Sequence, residues 1–279
     1  MNIFLTGGTG FIGSHFLKLI KDKDFNVTVL KRNNNSFIRQ DIGFEPTWIY
    51  KSLDNIFVEN LQDFDVLIHL ASEGVSPRKS TLDDLLYWNV VVLSKLIRFA
   101  IKANIKRIIL AGTYAEYGLS ANNYEFIPVT AALKPTSNYA ASKAAAFEVT
   151  HALCIENRIE LVYLRIFSAY GEGQNELNLW PQIKEYALSG KDFPMTFGTQ
   201  IRDFIPVENV ANSILESIQR KDINKDVPLI LNIGTGKGQS ILNFTEYWWN
   251  YWGATGKLLI GTIKKRDFEP NRYVALISE

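Results

Sequence analysis

Gly7-Gly8-Thr9-Gly10-Phe11-Ile12-Gly13 follows the apolar run Ile3–Thr6 and opens the amphipathic stretch Phe11–Lys21. A short buried strand, a glycine turn and a helix are the reading that this order supports. In a G-x-x-G-x-x-G pattern each glycine has a physical task. Gly7 permits a tight turn out of the strand, Gly10 lets a pyrophosphate approach the backbone without meeting a Cβ, and Gly13 lets the helix sit close to the sheet. Thr9, Phe11 and Ile12 stand at the helix start, where free N–H groups and a partial positive charge suit a diphosphate. The loop is a candidate dinucleotide site.

The same alternation continues outward. Val27–Leu30, Val66–Leu70, Arg107–Ala111 and Glu160–Arg165 read as strands, and Leu82–Ala103 and Ser137 to about Glu156 as helices. Strands this uniformly apolar are buried on both faces, as in a parallel sheet covered by helices. The expected fold class is therefore α/β, a doubly wound parallel Rossmann sheet with right-handed crossovers. Beyond Phe167 the loops lengthen. There Val207–Arg220 reads as a helix, Leu229–Ile233 as a strand ending in Gly234-Thr235-Gly236, and Phe244–Trp252 as an aromatic-rich helix. Residues 1–166 are expected to form the dinucleotide-binding domain and residues 167–279 a smaller substrate lobe, with segments returning to the sheet. Asn33-Asn34-Asn35 reads as a polar turn and nothing more.

Composition narrows the function classes. Of 279 residues 47% are hydrophobic and 21% charged, with a net charge of +1, so neither nucleic acid nor a membrane surface is an expected partner. The single cysteine, Cys154, cannot form an internal disulfide. Apolar stretches are interrupted by Lys95 and Arg98, and the N-terminus shows no basic-then-apolar signal pattern, so a cytoplasmic location is expected. No metal site is expected.

The end of the second strand bears on the choice of dinucleotide. An acid there accepts from the ribose 2′-hydroxyl of NAD. Lys31 and Arg32 stand there instead, with no acid until Asp41, and two cations suit the 2′-phosphate of NADP. Tyr139-Ala140-Ala141-Ser142-Lys143 places a phenol and an ammonium one helical turn apart on one face. Such a neighbour favours the phenolate and makes tyrosine usable as an acid or base near neutral pH. Thr113 follows the strand Arg107–Ala111, at the carboxyl end where open α/β sheets bind ligands, and its hydroxyl is suited to orient a carbonyl. The plainer alternative is a threonine that caps its loop.

Together these residues resemble the extended short-chain dehydrogenase/reductase family, in its nucleotide-sugar epimerase/dehydratase branch. His69-Leu70-Ala71 is similar to the H-x-A segment lining the cofactor cleft, which implies contacts from Leu70 and Ala71. Asn89 matches the family asparagine in the helix beneath the catalytic strand, and Arg165–Gly171 is similar to R-x-x-N-x-Y-G with Ser168 in the asparagine position. Arg202-Asp203-Phe204 and Arg266-Asp267-Phe268-Glu269 resemble the two segments whose arginines meet the substrate diphosphate. The resemblance therefore implies catalytic Thr113, Tyr139 and Lys143 and substrate contacts from Thr113, Ser168, Arg202 and Arg266. It also implies a homodimer, formed through the helices at 82–103 and 139–150.

Departures from the family narrow the chemistry. The 4,6-dehydratases carry Thr-Asp-Glu where this chain has Thr113-Tyr114-Ala115, and 4-epimerases hold NAD through an acid where this chain has Lys31-Arg32. The implied activity is NADPH-dependent reduction of the C4 ketone of a CDP- or dTDP-linked deoxy sugar for surface polysaccharide, similar to that of 4-ketoreductases of the CDP-abequose and CDP-paratose synthase type. A 4-epimerase with tightly bound NAD, and a catalytically silent NADP sensor, are the alternatives.

Overall fold

The computed structural model describes residues 1–75, 77, 79–264 and 269–277. The first part of the chain runs β1 (Asn2–Thr6), α1 (Phe11–Ile20), β2 (Asn26–Lys31), β3 (Thr47–Tyr50), β4 (Val66–His69), α2 (Leu82–Leu86), α3 (Leu93–Lys102), β5 (Arg107–Thr113), α4 (Asn138–Glu156) and β6 (Glu160–Ile166). The rest runs β7 (Ser168–Tyr170), α5 (Leu179–Ser189), β8 (Phe193–Met195), β9 (Ile201–Pro206), α6 (Val207–Gln219), β10 (Leu229–Ile233), β11 (Gly238–Ser240), α7 (Ile241–Tyr251), β12 (Leu258–Ile260) and β13 (Arg272–Tyr273).

Seven of these strands form one sheet in the order β10-β6-β5-β4-β1-β2-β3, every pair parallel. The winding direction reverses between β1 and β4, which opens a crevice beyond their carboxyl ends. Alternation along each strand feeds two cores. Ile3, Leu5, Val29, Ile68 and Val162 pack with Phe16 and Leu17 of α1 and Val210 and Ile214 of α6. Phe4, Leu67, Ile108, Leu110 and Tyr163 pack on the other face with Leu96 and Ile97 of α3 and Phe147 of α4. Two elements from beyond residue 166 thus serve the main sheet, α6 as a covering helix and β10 as an edge strand.

The remaining strands build a second, smaller layer. β9 pairs with β7 and β13 in parallel and with β11 antiparallel, and β8 pairs with β12. Trp180, Ile183, Phe193, Met195, Phe244 and Trp249 form a separate core beneath it, with Phe204 stacked on Phe244 at 3.7 Å between ring centroids.

One strand was not foreseen in the sequence, and one expected helix is divided. β3 carries only four residues, half of them exposed, and has too short an alternation to stand out in the sequence. The single helix expected over Leu82–Ala103 is divided, because Tyr87–Val92 is π-helical between α2 and α3. A π turn adds a residue to the turn and re-aims the side chains that follow. Here it carries Asn89, the buried polar residue of that segment.

Candidate active site

The glycine loop leaves β1 with Gly7 at φ +76°, and a Cβ there would lie 2.5 Å from the backbone nitrogen of Ala71. A Cβ on Gly13 would lie 2.2 Å from the carbonyl oxygen of Gly7, so only glycine lets α1 close against the loop. Gly10 sits at the cap position of α1 in extended conformation, and no side chain caps that helix end. Phe11 and Ile12 open the helix, and Ile12, like Leu70, packs on the core of that face.

Beyond the loop lies a cavity of about 480 Å³. Thr6, Gly7, Thr9, Ala71, Ser72 and Glu73 line it on the β1/β4 side, and Leu30, Arg32, Asn33, Asn35, Ser36 and Lys51 on the β2/β3 side. Trp88 and Asn89 close it from the π turn. An uncapped helix start and a glycine turn at the edge of a cleft are features that suit a dinucleotide. Lys31 is not part of that lining: its ammonium stands over the rings of Trp48 and Tyr50, at 5.0 and 5.9 Å. The polar turn is more than a turn, because Asn33 and Asn35 both face the cleft.

Tyr139 and Lys143, the residues expected to act, stand on α4 beside this cleft, where Tyr139 meets the lining residue Ser72. Lys143, on α4, is buried and donates from Nζ to the carbonyl oxygen of Ala111 in β5 at 2.8 Å. Burial lowers its pKa from the ordinary lysine value, opposed by the Glu116 carboxylate. Tyr139, one turn earlier, is half-buried. Burial raises its pKa from that of an ordinary phenol, the Ser72 hydroxyl opposes this, and the Glu116 and Tyr114 side chains add to it. The unliganded site therefore holds Tyr139 as a neutral phenol, where the Y-x-x-x-K spacing alone suggested a lowered pKa. His69 is fully buried with Nδ1 at 2.7 Å from the Thr6 hydroxyl, and burial, reinforced by the charge of Lys143, pushes its pKa down to about 3. Lys143 stands beside a neutral imidazole at neutral pH.

Asn89 ties these parts together. Its Nδ2 donates to the Ser142 hydroxyl (3.0 Å) and the Glu73 carbonyl (3.1 Å), and its Oδ1 accepts from the Glu73 N–H (2.8 Å) and the Ser72 hydroxyl (3.2 Å). The Ser142 hydroxyl in turn donates to the carbonyl of Tyr139 at 2.8 Å. The loop after β4 and the first turn of α4 are thus held in one register.

Thr113 caps its loop: its hydroxyl oxygen accepts from the Ala115 N–H at 3.3 Å, and its own N–H donates to Glu116 at 2.8 Å. Capping uses an oxygen lone pair and leaves the hydroxyl proton for another acceptor. Glu116, a residue the sequence reading did not single out, is fully buried and also accepts from Tyr163 at 2.7 Å and Arg165 at 3.0 Å. Arg165 reaches on to Tyr117 and the Val129 carbonyl, and Tyr117 donates to Asn232 of β10 at 2.6 Å. The acid nearest Thr113 is therefore committed to the core. Tyr114 lies stacked on Phe167 and edge-on to Tyr273.

On the lobe side, Ser168 opens β7 opposite Phe204 of β9. Arg202 is buried, with its guanidinium on Glu269 (2.7 Å), the Ile201 carbonyl (2.8 Å) and the Tyr273 ring. In this state the arginine faces an acid of its own chain. Arg266 lies outside the described residues. The neighbouring Asp203 is a structural hub, accepting from the N–H groups of Thr235, Gly236 and Ala275 and from the Thr235 hydroxyl. Gly234 permits this, since a Cβ there would lie 2.6 Å from the Asp203 carboxylate.

The chain resembles known proteins along its whole length. It is 30% identical over 281 residues to CDP-abequose synthase of Salmonella typhimurium, covering 96% of this chain and 87% of that one. It is 28% identical over 310 residues to probable UDP-arabinose 4-epimerase 3 of Arabidopsis thaliana, covering 97% of this chain and 71% of the relative. Among solved structures it superimposes on MoeE5 in complex with UDP-glucuronic acid and NAD, with a TM-score of 0.86 over 99% of this chain and 90% of the other, at 24% identity. The last likeness speaks to the fold, which is the seven-stranded parallel architecture described above. With the model of the NAD dependent epimerase/dehydratase family matching residues 3–234, from the first strand through β10, this chain belongs to that family of extended short-chain dehydrogenase/reductases.

Proposed function

We propose that the chain is a nucleotide-sugar 4-ketoreductase that uses NADPH. The observation that carries this reading is the combination of an acid-free, cationic cleft end with Tyr139 held as a neutral phenol beside Lys143. A reduction needs a proton donor at the carbonyl oxygen, and a neutral phenol is one.

The glycine loop and the open N-terminus of α1 would hold the pyrophosphate, Lys143 the nicotinamide ribose, and the Arg32 end of the cleft the adenosine ribose. When bound, the nicotinamide supplies a hydride to the carbonyl carbon. The chain's own residues do the remainder. Thr113 polarises the carbonyl with the proton its capping bond leaves free, and Tyr139 donates its phenolic proton to the oxygen as negative charge develops. Lys143, anchored on Ala111, keeps a positive charge one turn below and stabilises the phenolate left after transfer. Water elimination across C5–C6 has no matching acid, because Tyr114 and Ala115 replace the two acids and Glu116 is bound to Arg165 and Tyr163.

The similarity to CDP-abequose synthase supports a CDP-linked deoxy sugar as substrate, and the lobe beyond residue 166, with Ser168 and Arg202, is the side proposed to receive it. The similarity to UDP-arabinose 4-epimerases favours the second reading, a 4-epimerase that retains NAD. A homodimer is part of the proposal: Leu82, Leu86 and Val91 are exposed on the α2–α3 run, and Val149 on α4, which packs beside it. No helix among the described residues is long and apolar enough to cross a membrane.

Replacing Tyr139 by Phe tests the assignment. Turnover of a CDP-4-keto deoxy sugar should fall by roughly 10²–10⁴-fold while NADPH affinity stays within a few-fold. Near-normal turnover in that variant would remove Tyr139 from the chemistry.

A further inference from the structure

The far end of the cleft carries a pair of cations that differs from the pair Lys31 and Arg32. β2 and β3 are parallel neighbours with Lys31 in register with Tyr50, and the Lys51 N–H continues the ladder to the Lys31 carbonyl at 3.1 Å. Arg32 and Lys51 are therefore the first residues past two adjacent strand ends, about 5 Å apart at the backbone. Side chains alternate between faces, so Lys31 and Tyr50 share one face while Arg32 and Lys51 share the other. The contacts agree with this division. Lys31 lies over Trp48 and Tyr50, whereas Arg32 and Lys51 both line the cavity.

No acid is among the lining residues on that side, and most of them are polar. Asn33, Asn35, Ser36 and Ser52 line the cavity beside the pair, together with the apolar Leu30 and Leu53. Glu73, the one acid among the lining residues, holds the Ser80 hydroxyl at 2.5 Å on the β4 side. Asp54 is not among the lining residues: its carboxylate is engaged by the Tyr87 hydroxyl at 3.2 Å and by the side chain of Ser52, which does line the cavity. The Lys51 ammonium keeps one bond to the Asn60 side-chain oxygen at 3.3 Å, which leaves two of its three donors for a ligand.

A group with nearly two negative charges and three acceptor oxygens fits such a place, and a phosphate monoester has that chemistry. We propose that Lys51 and Arg32, not Lys31, form the pocket for the 2′-phosphate on the adenosine ribose, and that Lys51 at the end of β3 is a specificity-determining residue for NADP over NAD. This rests on the cofactor reading above. Arg32 presents the planar fork, and Lys51 adds a point charge from the neighbouring strand.

The test uses the full-length chain and equilibrium binding of adenosine 2′,5′-bisphosphate and of 5′-AMP, which need no turnover. For the wild type the bisphosphate should bind at least tenfold tighter than the monophosphate. Lys51→Gln should remove roughly tenfold of the bisphosphate affinity and leave 5′-AMP within twofold, with Arg32→Gln behaving alike and Lys31→Gln within twofold on both ligands. Unaltered far-UV circular dichroism in each variant excludes a folding effect at these strand ends. A wild type that prefers the bisphosphate and keeps that preference in Lys51→Gln overturns this inference alone. A wild type with no preference overturns the NADP reading, and this inference with it.

Discussion

Glu116→Ala should be among the most damaging single changes outside the glycine loop, although Glu116 touches no solvent and has no proposed part in the reaction. The carboxylate is fully buried and faces Arg165, which is 1% exposed, across 3.0 Å. Removing one partner of such a pair strands the other charge, at a cost of about 3–5 kcal/mol. The Tyr163 hydroxyl and the Thr113 N–H lose their acceptor as well, which adds about 1–3 kcal/mol for each group left unsatisfied. Water entering the vacated space offsets part of this, so we expect a loss of about 4–6 kcal/mol, a large share of the ~5–15 kcal/mol typical of folded domains. Urea denaturation followed by tryptophan fluorescence measures it. If Glu116→Ala does not fold, Glu116→Gln keeps the shape without the charge and should lose about 2–4 kcal/mol. Adding Arg165→Met to Glu116→Ala should recover part of the loss, because the stranded cation is then gone. A Glu116→Ala chain within about 1 kcal/mol of wild type, or strictly additive losses in the double variant, would refute the reasoning.

Two further outcomes follow from the same geometry. The folded pKa of His69, about 3, lies below its ordinary 6.5, so the unfolded chain binds more protons between those values and stability falls as pH drops through that window. The slope should be about 1.4 kcal/mol per pH unit from this residue, and His69→Asn should flatten denaturation midpoints measured between pH 6.5 and 4.5; an unchanged slope would contradict it. Gly13→Ala would place a Cβ 2.2 Å from the Gly7 carbonyl, forcing α1 away from the loop. NADPH binding by fluorescence titration should weaken by at least tenfold, and an affinity within twofold of wild type would show that the loop tolerates the shift.

Much of the fold was legible because parallel strands buried on both faces leave unbroken apolar runs. Ile3–Thr6, Val66–Leu70 and Glu160–Arg165 are of that kind, and the structure places each in the central sheet. β3 was not legible, since Thr47–Tyr50 is short and half exposed and reads as strand only once β2 is present to pair with it. The place of Lys51 was hidden with it: without the Lys31–Tyr50 register nothing in the sequence sets Lys31 over Trp48 or puts Lys51 past the end of the strand next to Arg32. The glycine loop, Tyr139 and Lys143 were readable because their spacing along the chain is itself the geometry. Glu116, Arg165 and Asp203 act largely through partners 32 to 72 residues away, and no local period announces such contacts. The partial burial that raises the pKa of Tyr139 was equally invisible, because the Y-x-x-x-K spacing places the ammonium but not the protein around the phenol.

The central claim is that the chain delivers a hydride from NADPH to a sugar ketone and a proton from Tyr139 to its oxygen. The direct measurement is incubation of purified protein with NADPH deuterated at C4 and a CDP- or dTDP-4-keto deoxy sugar, read by proton NMR at sugar C4 together with the bound cofactor of the starting protein. The account predicts one deuterium at C4 for each NADP+ formed, and no dinucleotide retained from purification. Stoichiometric NAD in the purified protein, no consumption of NADPH and interconversion of UDP-sugar 4-epimers would contradict it.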